Sequence, residues 1–338
     1  MKTFFNWCPL KPPPEQKSVD FKFANFVGLG AASVAFIMIA LGLGAGPWVY
    51  LPLALSAFLF GLPHGAIDHL VLIGLANKTM GFWGLFTVCS IYLASVVAVL
   101  LLWWISPLVG LIQFLLITIY HWGKADLAFE RFAKKQTLET SISSSLPLAH
   151  LLFRGSIPVC IPFLSFSEET EVFIISCTSS FGYSFELEPG LRLGVLAWLI
   201  ILLIGELLFL KRNPEFRNER LLEDLGLLFF FWLVTPILAI GLYFSFWHGF
   251  RHVLRLIRYE GNGDSVPGAS KGLKRFYNQA LPFTLASLFI VAAVALLLPQ
   301  ANRLDQLPGI YLVVISCLTV PHFFVVEWMD LREGVRLF

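Results

Sequence analysis

Runs free of charge alternate with short basic clusters along this chain, and that alternation sets its elements. Residues 23–67 and 79–123 contain no Lys, Arg, Asp or Glu, and each run can hold two helical crossings of about 20 residues. Continued along the chain, the pattern predicts ten membrane-spanning helices, at 23–44, 48–75, 81–104, 107–128, 143–165, 190–211, 219–236, 237–257, 279–299 and 309–329. The fifth is the weakest, because Pro147, Arg154, Pro158 and Pro162 interrupt it. The seventh and eighth are parted only by Thr235-Pro236, so one kinked element is an equal reading.

The basic clusters orient these spans. Lys2, Lys11, Lys17 and Lys22 precede the first, and Lys78 follows the second. Arg131, Lys134 and Lys135 follow the fourth, Lys211, Arg212, Arg217 and Arg220 the sixth, and Arg255, Arg258, Lys271, Lys274 and Arg275 the eighth. The opposite connections hold little that is basic beyond Arg192 and Arg303. Under the positive-inside rule, an even number of spans with both ends cytoplasmic fits this pattern. The expected organisation is a cytoplasmic segment 1–22, one transmembrane domain 23–330 and a cytoplasmic tail 331–338, in the cell (inner or plasma) membrane.

Composition agrees. The chain is 57% hydrophobic and 14% charged, with a mean hydropathy of +0.76, too little charge to cover a soluble domain. The fold class is all-α: a polytopic integral membrane protein of about ten helices in one bundle. The net charge of +2 is scattered between the spans, which leaves no surface for nucleic acid. The five cysteines show no ligand spacing. The N-terminal segment lacks the layout of a cleaved signal peptide, so the first span is expected to act as its own targeting signal.

Histidine changes the picture. His64 lies in Gly61-Leu62-Pro63-His64-Gly65-Ala66-Ile67-Asp68, His121 in Tyr120-His121-Trp122-Gly123, and His248 and His252 stand four residues apart, on one face of a helix. In the predicted topology these residues and His322 all fall between the middle and the cytoplasmic third of their spans. Polar groups at that depth are costly and are kept for a site. Neutral imidazole binds Fe, Zn, Cu or Ni while adding no charge of its own, and nearby carboxylates can hold the ring by its other nitrogen. Asp68, four residues after His64, and Asp126, five after His121, are candidates; Glu327 follows His322 by five. Four imidazoles would leave open positions on an iron, whereas structural zinc usually recruits thiolates.

At these residues the chain resembles the Brp/Blh family of membrane β-carotene dioxygenases of bacteria and haloarchaea. The segments Gly61–Asp68, Tyr120–Asp126, Tyr243–His252 and Leu318–His322 resemble the family's successive motifs, in order, over roughly residues 45–330. Trp122 stands where Phe is common and Gly249 where Ser is common. The resemblance implies a non-haem Fe(II) enzyme that splits the central double bond of all-trans-β-carotene with O2. The two retinal molecules formed would supply a microbial rhodopsin. It implies His64, His121, His248 and His252 as iron ligands.

Around them, Asp68, Asp126, Tyr243, Arg251 and His322 are expected to support the ligands. Whether His322 or a water completes the coordination stays open. Phe244, Phe246, Trp247 and Phe323 are candidates for an apolar substrate tunnel, and no general acid or base is assigned. His69 and His150 read as structural, and Glu206 as an anchor at the lipid interface. Two other classes remain in view: a di-iron desaturase or hydroxylase, which usually draws on eight or more histidines, and a histidine-lined transporter for a metal or protons.

Overall fold

Proline divides the second expected span. The computed structural model describes residues 14–75, 82–134, 145–183, 188–259, 269–297, 307–333 and 335. After α1 (Pro14–Ala40), the chain makes a 3-10 turn at Gly46–Tyr50 and then three short helices: α2 (Leu51–Ser56), α3 (Gly61–Ala66) and α4 (Asp68–Leu75). Pro47 and Pro52 occupy the first positions of the turn and of α2, where a missing amide costs nothing and helices restart. The rest is longer: α5 (Phe82–Ile105), α6 (Pro107–Lys134), α7 (Ser145–Ser165), α8 (Ser167–Thr178) and α9 (Pro189–Arg212). Then come α10 (Pro214–Leu233), α11 (Pro236–Leu242), a π-helical segment Tyr243–Gly249, α12 (Phe250–Tyr259), α13 (Ala269–Leu297) and α14 (Leu307–Arg332). No strand occurs among the described residues.

Eight helical stretches among the described residues are long and apolar enough to cross a membrane, Gly46–Leu75 counting as one. The two expected spans outside that set are 219–236 and 237–257. Both are helical, but α10 carries Glu219, Arg220, Glu223 and Asp224, and the second is divided among α11, the π segment and α12. The break at Thr235-Pro236 is real: Val234 and Thr235 are extended, with ψ of 132° and 144°, as the residue before a proline prefers.

Large apolar side chains cover the outside of the bundle. Phe26, Trp83, Ile105, Leu193 and Phe289 are each at least 70% exposed, a surface suited to lipid and not to water. Inside, α7 runs unbroken through Pro158 and Pro162 and packs on α6 and α9. Its closest approach is at Gly123 and Gly155: a Cβ on either would run into backbone of the facing helix, at Leu151 and Ile119 respectively. This small-residue crossing is a common way for membrane helices to lock together, and it fixes the height of His121 on α6. The polar segment 166–189 includes α8, which packs against α14.

Candidate functional site

Five histidines from four parts of the chain meet inside the bundle. His64 sits in the last turn of α3, His121 midway along α6, His248 near the end of the π segment, His252 on α12 and His322 on α14, and all five are at most 5% exposed. The ring of His64 lies 5.3 Å from that of His248, 5.4 Å from His252 and 4.9 Å from His322, centroid to centroid. The ring of His121 lies 5.1 Å from both His248 and His322, and His252 lies 5.5 Å from His322. Every one of these pairs is edge to face.

The local backbone explains the convergence. A π-helical turn carries one residue more than the α-helical turn it replaces, and such turns favour functional sites. Here it brings His248 and His252 to the same partner, His64. At the junction, Gly249 lets the segment approach α3, since a Cβ there would stand 2.6 Å from the carbonyl oxygen of Phe60. That carbonyl also holds His64, whose Nδ1 lies 2.8 Å away. A carbonyl only accepts, so Nδ1 carries the proton and Nε2 keeps its lone pair.

Unpartnered nitrogens face this cluster. His121 Nε2, His252 Nδ1, His322 Nε2 and both nitrogens of His248 are buried without a hydrogen-bond partner in the structure, and orphaned buried polar atoms call for an explanation. Among the described residues no three His, Cys, Asp or Glu side chains stand in a preformed metal-binding arrangement; the rings meet at packing distance. A ring bound through one nitrogen at about 2.1 Å carries its centroid about 3.2 Å from the metal, so neighbouring rings at 90–110° would lie about 4.5–5.2 Å apart. The observed spacings of 4.9–5.5 Å sit at and just beyond the upper end of that range, and the donor set is one that suits a borderline divalent metal.

The cluster opens into a cavity of about 290 Å³ lined by His64, His121, His248 and His322. Away from the imidazoles its lining is mostly apolar. One side runs along α5, α6, α7 and α8 to Trp103, Phe163 and Cys177, all buried. The other reaches Leu93 on α5 and Phe283 on α13, which are 55% and 37% exposed on the outer face. Trp122 forms part of the wall and packs against Tyr243, Phe244 and His248.

Beside the histidines, towards the basic ends of α6 and α12, lies a layer of buried ions. Arg154 on α7 pairs with Glu223 and Asp224 of α10 and reaches Asp126 of α6 at 3.4 Å. Arg251 contacts Asp126 at 3.2 Å and Glu223 at 3.3 Å and lies over the Trp247 ring. Arg255 binds Asp330 at 2.7 Å and Glu333 at 2.6 Å, and Lys124 binds Glu327 at 2.6 Å.

Several expected placements change. Asp68 accepts from His322, at 2.9 and 3.0 Å, and not from His64; the helix breaks at Ile67, which takes Asp68 off the His64 face. Asp126 turns from the histidines to Arg154, Arg251 and the Trp247 indole, because three neighbouring donors outcompete one ring. Arg251 accordingly neutralises carboxylates. Glu327 pairs with Lys124, and Glu206 is 1% exposed and binds His150 at 2.5 Å, so it is no lipid anchor. Tyr243 packs on Trp122 and Phe231, its hydroxyl unpartnered. Of the four tunnel candidates Phe244 lines the cavity. Trp247 lines a smaller one between α1 and α10, Phe246 packs on Phe60, and Phe323 on Tyr120. His69 packs against Phe283 at a tilt, 4.0 Å between centroids, in the cavity wall. The sequence reading missed Tyr92, whose hydroxyl donates to Asp68 at 3.1 Å; it lies in a featureless apolar helix outside every motif.

Fold and site together define an integral membrane bundle whose imidazoles converge in a mostly apolar chamber. The chain belongs to the beta-carotene 15,15'-dioxygenase family, whose profile matches residues 55–330. It is 32% identical to the probable beta-carotene 15,15'-dioxygenase Blh of Halobacterium salinarum, over 91% of this chain and 92% of that protein. It is 25% identical to the beta-carotene 15,15'-dioxygenase of uncultured marine bacterium 66A03, over 84% and 95% of the two chains. Identity to the probable beta-carotene 15,15'-dioxygenase Brp of H. salinarum is also 25%, over 91% and 92%. No solved structure matches the chain.

Proposed function

We propose that this protein cleaves the central 15,15' double bond of β-carotene with O2, releasing two molecules of retinal. The observation that carries the reading is the gathering of imidazoles, nitrogens unpaired, within an apolar chamber of a membrane bundle; the family supplies the substrate. His64, His121, His248 and His252 would hold Fe(II), which when bound supplies the redox-active centre that lets O2 react with a polyene. The remaining work falls to the protein. The apolar walls position the polyene and exclude water from the reacting carbons. The Phe60 carbonyl fixes the His64 ring. The buried ions keep the helices that carry the ligands in register. The reaction balances without a proton donor: one C=C bond is broken, the O–O bond is broken, and each carbon takes one oxygen atom.

A lipid-soluble rod reaches such a site from within the bilayer, and the exposed Leu93 and Phe283 mark the side of the cavity nearest the lipid. The basic clusters support cytoplasmic ends in the cell membrane, and the product suits delivery to a retinal-binding rhodopsin. Expression in cells that accumulate β-carotene tests the reading: bleaching of the orange pigment with retinal detected by chromatography is expected, and unchanged pigment in cells containing the folded protein would overturn it. One iron per chain is expected. Two would favour the di-iron desaturase class, and ion flux in proteoliposomes without oxygen consumption would favour a transporter.

A further inference from the structure

We infer that His322 is a fifth imidazole of the metal centre, oriented for that role by Asp68 and Tyr92; the inference rests on the proposed iron site. Taken without His322, the other four rings form an open chain, with contacts running His252 to His64, His64 to His248 and His248 to His121. His322 touches both ends of that chain, His252 at 5.5 Å and His121 at 5.1 Å, and lies nearest of all to His64, at 4.9 Å. It closes the ring around a common interior.

Its orientation is fixed from behind. Nδ1 faces both oxygens of Asp68, at 2.9 and 3.0 Å, so that nitrogen carries the proton and Nε2, on the other side of the ring, has no partner. Asp68 is 3% exposed and also accepts from Tyr92, whose hydroxyl lies 3.3 Å from the Leu318 carbonyl on the same helix as His322. Among the described residues lysine and arginine make no ion pair with Asp68, and the contact at ion-pair distance is His322. A buried carboxylate behind an imidazole is the arrangement that sets the tautomer and raises the basicity of metal-binding histidines. Its negative charge would also offset part of the charge of a divalent ion in a low-dielectric site. A purely structural tie between α4 and α14 would account for Nδ1 but leaves the second nitrogen buried and idle.

The test is cobalt binding to the full-length protein in lipid nanodiscs, followed by the visible d–d spectrum and by chelator competition. Wild type is expected to take up one Co(II). His322→Ala should lower affinity by at least about 10-fold and shift and intensify the bands as the coordination number falls, and added imidazole should restore the wild-type spectrum. Asp68→Asn and Tyr92→Phe, which preserve volume, should weaken binding less and leave the bands nearly in place. If His322→Ala keeps both affinity and spectrum, the inference fails while the iron reading stands. If folded wild type takes up neither cobalt nor iron, the iron reading fails and takes the inference with it. Should His322→Ala not fold, wild type decides: extended X-ray absorption fine structure showing five imidazole nitrogens supports the assignment, and four overturns it.

Discussion

Arg154 of α7 places its guanidinium among Asp126 of α6 and Glu223 and Asp224 of α10, with 4% of its side chain exposed. Removing one partner of a buried ionic set leaves the others uncompensated, at a cost of about 3–5 kcal/mol. Arg154→Ala is therefore expected to lower the unfolding midpoint in detergent strongly while leaving the five clustered histidines of the seven unchanged; an unchanged midpoint would show the network to be energetically idle. His248→Ala should do the opposite, abolishing bound iron and retinal formation with little change in melting, as read by metal analysis and circular dichroism. A variant with full turnover would remove His248 from the ligand set. At this scale the sequence was most legible where a motif surrounded the residue. His64, His121, His248 and His252 stood out because polar groups inside apolar runs are rare. The partners of Asp68, Asp126 and Glu206 did not, since which donor a carboxylate meets depends on how helices far apart in the chain rotate against each other.

The π-helical segment Tyr243–Gly249 is the element on which the site most depends. An α-helix advances about 100° per residue, so deleting Ser245 should return the segment to α geometry and swing His248 and His252 away from His64. The expected result is a protein that still inserts and is recovered from membranes but has lost iron and cleavage together. Retention of both would show that the turn can re-form elsewhere. Gly123→Ala should force α6 from α7, destabilising by at least about 1–3 kcal/mol, visible as a lowered melting temperature. Long apolar helices such as α5, α9 and α14 could be placed from composition alone. The division of 48–75 into several short pieces could be anticipated only in part, from Pro47, Pro52 and Pro63; where each piece restarts depends on what it packs against. The π segment left no periodicity to read, because Tyr243–Gly249 has too few polar positions to reveal one extra residue.

Across the whole molecule, the chamber joins a buried end near Cys177 to a lipid-facing side near Phe283. Filling the buried end with Cys177→Trp should displace the polyene along its length. A shift of about 1 Å can cost on the order of 100-fold in rate, so turnover of β-carotene should fall far more than that of a truncated carotenoid. Equal losses for both would argue against a rod lying in this chamber. The ionic layer has a consequence for how the protein is made. A charge buried without its partner is costly, and among the described residues Arg255 and Lys124 find their carboxylates on α14 and just after it. Nascent chain leaving the ribosome must therefore carry unneutralised cations until α14 arrives. Late steps of biogenesis, and not the insertion of any early segment, should then decide how much enzyme survives quality control.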